Sequence, residues 1–390
     1  MATAVLDLEF DQLPDFITGL ERYNSALVLI RLRGRPIDQI WIAVRNGCVT
    51  RTELLELIKA KWGLHLWAKM LSEYLERDVA EEPSRLPRAT VAVTTRDRPE
   101  DLKRCLDALM KLPDDGQEYL VVDNCPATDV TRQLVAQYGD RIRYVREDRP
   151  GSSAARNRAL HEAQCEIVAF SDDDAVPDPG WLRALLRNFA DPLVLCVTGL
   201  VMPLELETEA QRWFELYSPH GRGFWRVVYD CAGYDTLHVA PVGVSANMAL
   251  RRSVTEQVGF FEEALGPGTR CRAGEDYELF SRILTAGYRI VYEPAALSWH
   301  RHRRTWEELR QAIYGYGVAV YAYWTHLLLV RKEWSTPRLP LSWFWYKQFP
   351  NLLRSLLRRP NHVPLDLLLA ELRGCTVGPW AYLSSRRKIR

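Results

Sequence analysis

The chain has 390 residues, 47% of them apolar, enough to bury one large core or two ordinary ones. The net charge of +1 hides a polarity: residues 301–390 hold 16 Lys and Arg against 5 Asp and Glu, a local +11, leaving residues 1–300 at −10. Eight scattered cysteines with no short paired spacing argue against a disulfide framework or a zinc site and for a reducing compartment, and the acidic start, Met1 to Gln12, lacks the basic-then-apolar order of a signal peptide.

Residues 1–87 read as a small α+β module. Leu27–Leu32 and Gln39–Val44 are expected strands around an Arg-Gly-Arg-Pro turn (Arg33 to Pro36). Thr52 to Arg77 has helical spacing of Leu54, Leu55, Leu57, Ile58, Trp62, Leu66 and Met70. The polar, proline-bearing segment Asp78 to Arg88 reads as a linker.

From residue 88 short apolar runs alternate with helical periodicity. Expected strands are Thr90–Thr94, Tyr119–Val122, Ile142–Val145, Ile167–Phe170 and Leu193–Thr198. Expected helices between them are Pro99 to Leu112, Thr128 to Tyr138, Ser152 to Ala163 and Trp181 to Phe189. Such alternation predicts a mostly parallel sheet with helices on both faces. After Gly199 the rhythm breaks, and residues 201–238 read as a long aromatic, irregular excursion of the kind that serves function. Ala246–Leu250 and Tyr288–Tyr292 are further strands, with a helix over Glu275 to Thr285 between them.

The carboxyl-terminal part, 306–390, reads as a helical extension, aromatic and basic. Residues 312–330 carry no charged side chain, but Gly315, Gly317, Thr325 and His326 interrupt them, so a packed or interfacial helix is expected over a membrane span. Trp343 to Lys347, followed by Leu352 to Arg359, reads as a basic amphipathic helix suited to an anionic lipid surface.

One stretch organises the rest. The apolar run Ile167 to Phe170 ends in Ser171 and three consecutive carboxylates, Asp172, Asp173 and Asp174, before a Pro/Gly turn. A strand's carboxyl edge is where open α/β sheets form ligand crevices. No basic residue lies within six positions, so the three like charges call for a divalent cation, Mn²⁺ or Mg²⁺, of the kind shared with substrate phosphates. Other strand ends bring Thr94-Thr95-Arg96-Asp97 and Asp123-Asn124. Gly151 to Asn157 opens a helix nearby, Gly274-Glu275-Asp276 opens another, and Ser298-Trp299-His300 follows. No complete G-x-G-x-x-G, Walker loop or H-E-x-x-H is present.

In this order the motifs resemble the inverting glycosyltransferases of family 2, which have the GT-A fold, over about residues 89–305. The resemblance implies a GT-A-type, Rossmann-like transferase domain at 88–305, using a nucleotide-diphosphate sugar donor and a glycan, lipid-linked or small-molecule acceptor. It places Thr95, Arg96 and Asp123 at the base and ribose, and Arg156 near the nucleotide. Asp172 and Asp174 match the D-x-D pair, Asp172 and its neighbour Asp173 toward the nucleotide sugar and Asp174 on the metal, which Asp172 shares. His300 completes the metal and diphosphate site. Asp276 matches the general base, with Glu275 beside it in the acidic pair. Arg96 departs from the family, where many members carry an aromatic residue, and Ser171 replaces a common apolar residue. The implied enzyme is cytoplasmic, peripheral on the inner face of a membrane, and has no nucleic-acid partner. Two rivals are a sugar-phosphate nucleotidyltransferase, which would want a glycine-rich loop where Arg96 to Pro99 has none, and a non-catalytic glycan- or lipid-binding module, which would be expected to have lost an acidic or histidine position.

Overall fold

A computed structural model describes residues 2–61, 63, 86–359 and 362–389. The amino-terminal piece is built on strands β1 (Thr3–Glu9), β3 (Ser25–Leu32) and β4 (Arg35–Ala43), with a minor antiparallel pair β2 (Phe16–Ile17) and β5 (Val49–Thr50) and helix α1 over 51–61. β3 and β4 form the expected hairpin, turning through Arg33 and Gly34, both at positive φ. β1 escaped the sequence reading because it pairs in parallel with β3, with β2 between them in the chain. The expected helix beyond residue 63 and the expected linker up to residue 85 lie outside the described residues.

The large sheet comprises β6 (Ala89–Thr95), β7 (Glu118–Asn124), β8 (Ile142–Glu147), β9 (Ile167–Asp172), β10 (Ala175–Pro177), β11 (Val194–Pro203), β12 (Val227–Tyr229), β13 (Asn247–Arg251) and β14 (Arg289–His300). Its order is β10-β14-β11-β13-β9-β6-β7-β8, with β12 added on β14. β9, β6, β7 and β8 run parallel, as do β11 and β14, while β13 is antiparallel between the two groups.

Alternate side chains of a strand face opposite ways, and each face of this sheet has its own core. On one, Ala92, Leu120, Val168 and Phe170 pack with helices α4 (Ser152–Glu162) and α8 (Glu275–Thr285). On the other, Val91, Val93, Val121 and Ala169 pack with α2 (Pro99–Leu109), α3 (Val130–Ala136) and α5 (Trp181–Leu186). The mostly parallel, doubly covered α/β architecture expected from the alternation is therefore present. The N-terminal sheet leans on its edge: Leu27 and Leu29 share a core with Leu200, Met202 and Leu297, and Arg31 pairs with Asp178 at 2.7 Å.

Two strands run longer than the sequence suggests, and glycine and proline explain why. β11 continues through Gly199 to Pro203, because that glycine is a packing residue and not a stop. A Cβ there would collide with the Ala296 carbonyl and the Asn247 side chain. β14 runs past Pro294 to His300, its pairing with β11 shifting register at Gly199/Leu200, which brings His300 into the sheet. The 201–238 excursion is partly ordered: Glu209–Tyr217 is helix α6, started by a Thr208/Gln211 capping box. Short helix α7 (Val254–Gln257) follows β13.

The carboxyl-terminal region is helical: α9 (Trp306–His326), α10 (Arg338–Trp343), α11 (Phe349–Leu356) and α12 (Leu365–Ile389), with π turns at Leu327–Arg331 and Phe344–Gln348. α9 and α12 touch through glycines. A Cβ on Gly317 would strike the Glu371 carbonyl, and one on Gly374 the Tyr314 carbonyl. Among the described residues no helix is long and apolar enough to cross a membrane. All eight cysteines are free thiols.

Candidate functional site

Parallel register aligns the carboxyl ends of β6, β7 and β9. Thr95 lies opposite Asp123, and Thr94 opposite Asp172. The chain leaves β9 through Asp173 and Asp174 and returns as β10, which pairs antiparallel with β14 so that Ala175 faces His300. Distant parts of the sequence thus meet: one ligand atom from each of Asp172, Asp174 and His300 can lie within 4.8 Å of the others. His300 Nε2 is 3.0 Å from Asp174 Oδ1. Burial pushes the Asp174 carboxyl up, but His300 and Arg98 outweigh it and hold it well below the usual range. Burial lowers His300, yet Asp174 leaves it raised overall.

The third carboxylate turns elsewhere. Asp173 accepts a 2.7 Å hydrogen bond from the Thr95 hydroxyl and a 3.3 Å one from Arg98, so Thr95 and Asp173 meet each other. Burial and then the neighbouring Asp174 push Asp173 up to about 7. Arg98 was not foreseen; it also donates to Asp174 at 3.0 Å. Its signal was its place between the end of a strand and Pro99 at the first turn of α2. Arg96 is half-exposed, with its nearest carboxylate partner at Asp97, 3.7 Å away.

Arg156, buried on α4, reaches Asp172 at 3.3 Å and Glu275 at 2.6 Å, tying the triad to the acidic pair at the head of α8. That head is set by Gly274, at φ 98°, whose missing Cβ leaves room for the Ala319 carbonyl. Glu275 is therefore engaged in an internal ion pair, although its Oε2 is buried without a partner. Asp276 is held by backbone amides instead. It accepts from the Ser245 and Tyr277 amides at 3.2 and 2.8 Å, and burial raises its pKa above the ordinary 3.8. These surroundings separate the two neighbours. Removing one member of a buried ion pair typically costs about 3–5 kcal/mol. Because Asp172 still partners Arg156, Glu275→Gln is expected near the lower end, about 3 kcal/mol, read as a fall in Tm.

Asp123, fully buried, accepts a 2.9 Å bond from the Tyr144 hydroxyl on Oδ2, while Oδ1 has no protein partner. Burial raises its pKa. A buried acceptor left open at a strand's end suits a ligand hydroxyl or N–H. Asn124 braces the approach to α4 by accepting from the Gly151 amide at 2.9 Å and donating to the Arg149 carbonyl at 2.7 Å.

Behind His300 lies a group the sequence reading left unassigned. His300 Nδ1 is 3.4 Å from His302 Nδ1, and His302 Nε2 is 3.1 Å from Glu215 on α6, all buried. His220 presents its ring edge to His300. Burial pushes Glu215 up to about 8 and keeps His302 and His220 well below the ordinary histidine value. The H-x-H spacing of 300 and 302 was visible; Glu215 and His220 sit in the aromatic excursion, where no motif marks them. A second cavity of about 660 Å³, lined by Phe261, Glu278, His326 and Arg331 among others, includes none of Asp123, Asp172, Asp174, Glu275, Asp276 or His300.

Residues 90–259 match the family model described as Glycosyl transferase family 2. The match stops short of Glu275, Asp276 and His300. A pre-mycofactocin glycosyltransferase of Mycobacterium tuberculosis is 32% identical over 231 residues, covering 58% of this chain and 46% of its own, so the chain spans about half of that relative. Glycosyltransferase AglE of Haloferax volcanii is 26% identical over 237 residues, 58% of this chain and 71% of its own. A solved structure of the mannosyltransferase PcManGT from Pyrobaculum calidifontis, in complex with GDP-Man and Mn²⁺, aligns with a TM-score of 0.46 at 19% identity, over 85% of this chain and 84% of that one.

Proposed function

Since this chain carries a family 2 glycosyltransferase domain, we propose that it transfers a sugar from a nucleoside-diphosphate donor to an acceptor hydroxyl, with inversion at the anomeric carbon and Asp276 as general base. The observation that carries this reading is the convergence of Asp172, Asp174 and His300 at one sheet edge, joined by Arg156 to the acidic pair of α8. We assign the transfer chemistry to residues 88–305, with 1–87 as an accessory module and 306–390 as a helical extension.

Two carboxylates and an imidazole fit a divalent cation, and the nitrogen donor favours Mn²⁺ over Mg²⁺. Asp172, Asp174 and His300 would hold it. Bound there, the ion neutralises charge on the leaving diphosphate without proton transfer. The open Oδ1 of Asp123 takes a base or ribose donor group, with Thr95 behind it and Arg96 at the rim. Arg98 and Arg303, 3.0 and 3.9 Å from Asp174, place positive charge beside the phosphates. The acceptor oxygen attacks the anomeric carbon as the bond to the diphosphate oxygen breaks, and its proton passes to the Asp276 carboxylate.

Only the ionised form of Asp276 accepts that proton, and its pKa is raised. Activity should therefore be lost, as pH falls, at a pH above the 3.8 of an ordinary aspartate. The acid limb of kcat/KM against pH checks this. Calorimetry of nucleotide sugars with Mn²⁺, followed by assay of nucleoside diphosphate release, tests the function. Binding of one nucleotide-sugar class in Mn²⁺ but not in EDTA is the expected result. Pyrophosphate release from a nucleoside triphosphate and a sugar phosphate would instead favour a nucleotidyltransferase. The acceptor is a glycan, lipid-linked or small-molecule hydroxyl, and the free thiols suit a cytoplasmic setting.

A further inference from the structure

The segment from α10 through α11 is turned the wrong way for water. Leu341, Trp345, Phe349 and Leu353 recur every fourth residue, and Leu356 and Leu357 continue the row. Residues spaced three or four apart share one face of a helix. These six are exposed by 61, 53, 41, 47, 61 and 58% respectively. The positions turned inward include Gln348 and Ser355, only 3% and 6% exposed. A helix on a water-facing surface shows the reverse polarity. The segment is held to the body by Trp343, whose ring lies 6.0 Å from that of Tyr321 and 5.6 Å from that of Trp324, and by Lys347, 3.3 Å from Glu371. The apolar row is thus presented outward by a helix anchored on its other side.

Charge identifies what covers it. Between residues 334 and 365 there is no Asp or Glu, and there are five Lys or Arg. Arg354, Arg358 and Arg359 are exposed beside the far end of the row, and Tyr346 stands 85% exposed at its middle. Two copies meeting along this face would bring basic side chains together with no carboxylate from the segment between them, which opposes a homodimer. An apolar stripe flanked by aromatics and arginines matches the boundary of an anionic bilayer, entered to headgroup depth without crossing. We infer that the outward face of residues 341–357 docks on an anionic lipid surface. This goes beyond the transfer chemistry and does not depend on it.

The test is co-sedimentation of the full chain with vesicles of phosphatidylcholine alone or containing 30% phosphatidylglycerol, alongside analytical ultracentrifugation without lipid. Binding is expected only to the anionic vesicles, with a blue shift of tryptophan emission. It should weaken at least about tenfold when salt rises well above physiological strength, since screening shortens the reach of the arginines. The variant Trp345→Ser/Phe349→Ser/Leu353→Ser should lose binding with an unchanged Tm and circular dichroism spectrum. Arg354→Gln/Arg358→Gln/Arg359→Gln, which leaves the apolar row intact, should bind less and lose most of the salt dependence. No binding to anionic vesicles at low salt overturns the inference. So does binding unchanged in both variants, or a dimer that the serine variant converts to monomer while vesicles fail to bind.

Discussion

Asp276→Asn is expected to lower kcat by at least about 10²-fold, the lower end of a general-base contribution, while leaving nucleotide-sugar affinity within a few fold. The substitution keeps the shape of the side chain. It loses the lone pair proposed to take the proton, and one of the two amide hydrogen bonds that position the carboxylate. That lost bond costs about 0.5–1.5 kcal/mol, small enough for the protein to stay folded. Glu275→Gln gives the contrast. Its defect should be seen first in Tm, because Arg156 loses a 2.6 Å partner. An interaction made only in the transition state lowers kcat and kcat/KM together, and that signature should belong to Asp276 alone. If Glu275→Gln, assayed well below its Tm, is the more damaging in kcat, the base has been assigned to the wrong carboxylate.

Asp174→Asn should weaken Mn²⁺ affinity, read by electron paramagnetic resonance or calorimetry without substrate, by more than about 100-fold. Groups that merely support metal ligands already cost about 10–100-fold when removed, and Asp174 would be a ligand itself. Nucleoside diphosphate binding should then no longer respond to EDTA. Asp276→Ala, measured the same way, should keep metal-dependent binding. Asp174 is also the buried counter-charge of His300 and Arg98, so its replacement takes a partner from both. Stability of the apo protein should fall as well, and the Mn²⁺ measurement must be made below the variant's Tm. Wild-type nucleotide affinity equal in Mn²⁺ and EDTA would remove the cation from the reading.

The alternating α/β plan was legible because each strand is a short apolar run and each helix carries a stripe. Those are local signals, and the two cores on opposite faces of β6 follow from them directly. Asp172, Asp174 and His300, which the fold brings together, and Asp276, the proposed base, were singled out because the motifs fall in a recognisable order. What stayed hidden were relations between distant residues. Nothing near Gly199 says that it is needed by Ala296 and Asn247, so the glycine read as a break. Arg98 looked like a loop residue because its partners, Asp173 and Asp174, lie 75 and 76 positions away. Glu215 and His302 gain meaning only once α6 is laid against the end of β14. The outward row of residues 341–357 was half visible: the sequence showed an amphipathic basic helix, but which side faces the body depends on where Trp343 finds its ring partners.

The glycine contact between α9 and α12 has a consequence for the order in which the protein is made. α9 supplies Tyr316, packed by the His220 and Phe214 rings near His300, and the Ala319 carbonyl against Gly274. The surface that α12 covers, at Gly317, is on the same helix. Synthesis proceeds at about 5–20 residues per second, so on the order of 3–13 s separate the emergence of His326 from that of Ile389 at this pace. Throughout that interval α9 has one flank against the site and the other bare, at a groove only a glycine-bearing helix can fill. That wall of the candidate site is therefore complete only once α12 has been made, and a nascent chain stalled before residue 365 presents that groove to whatever it meets first.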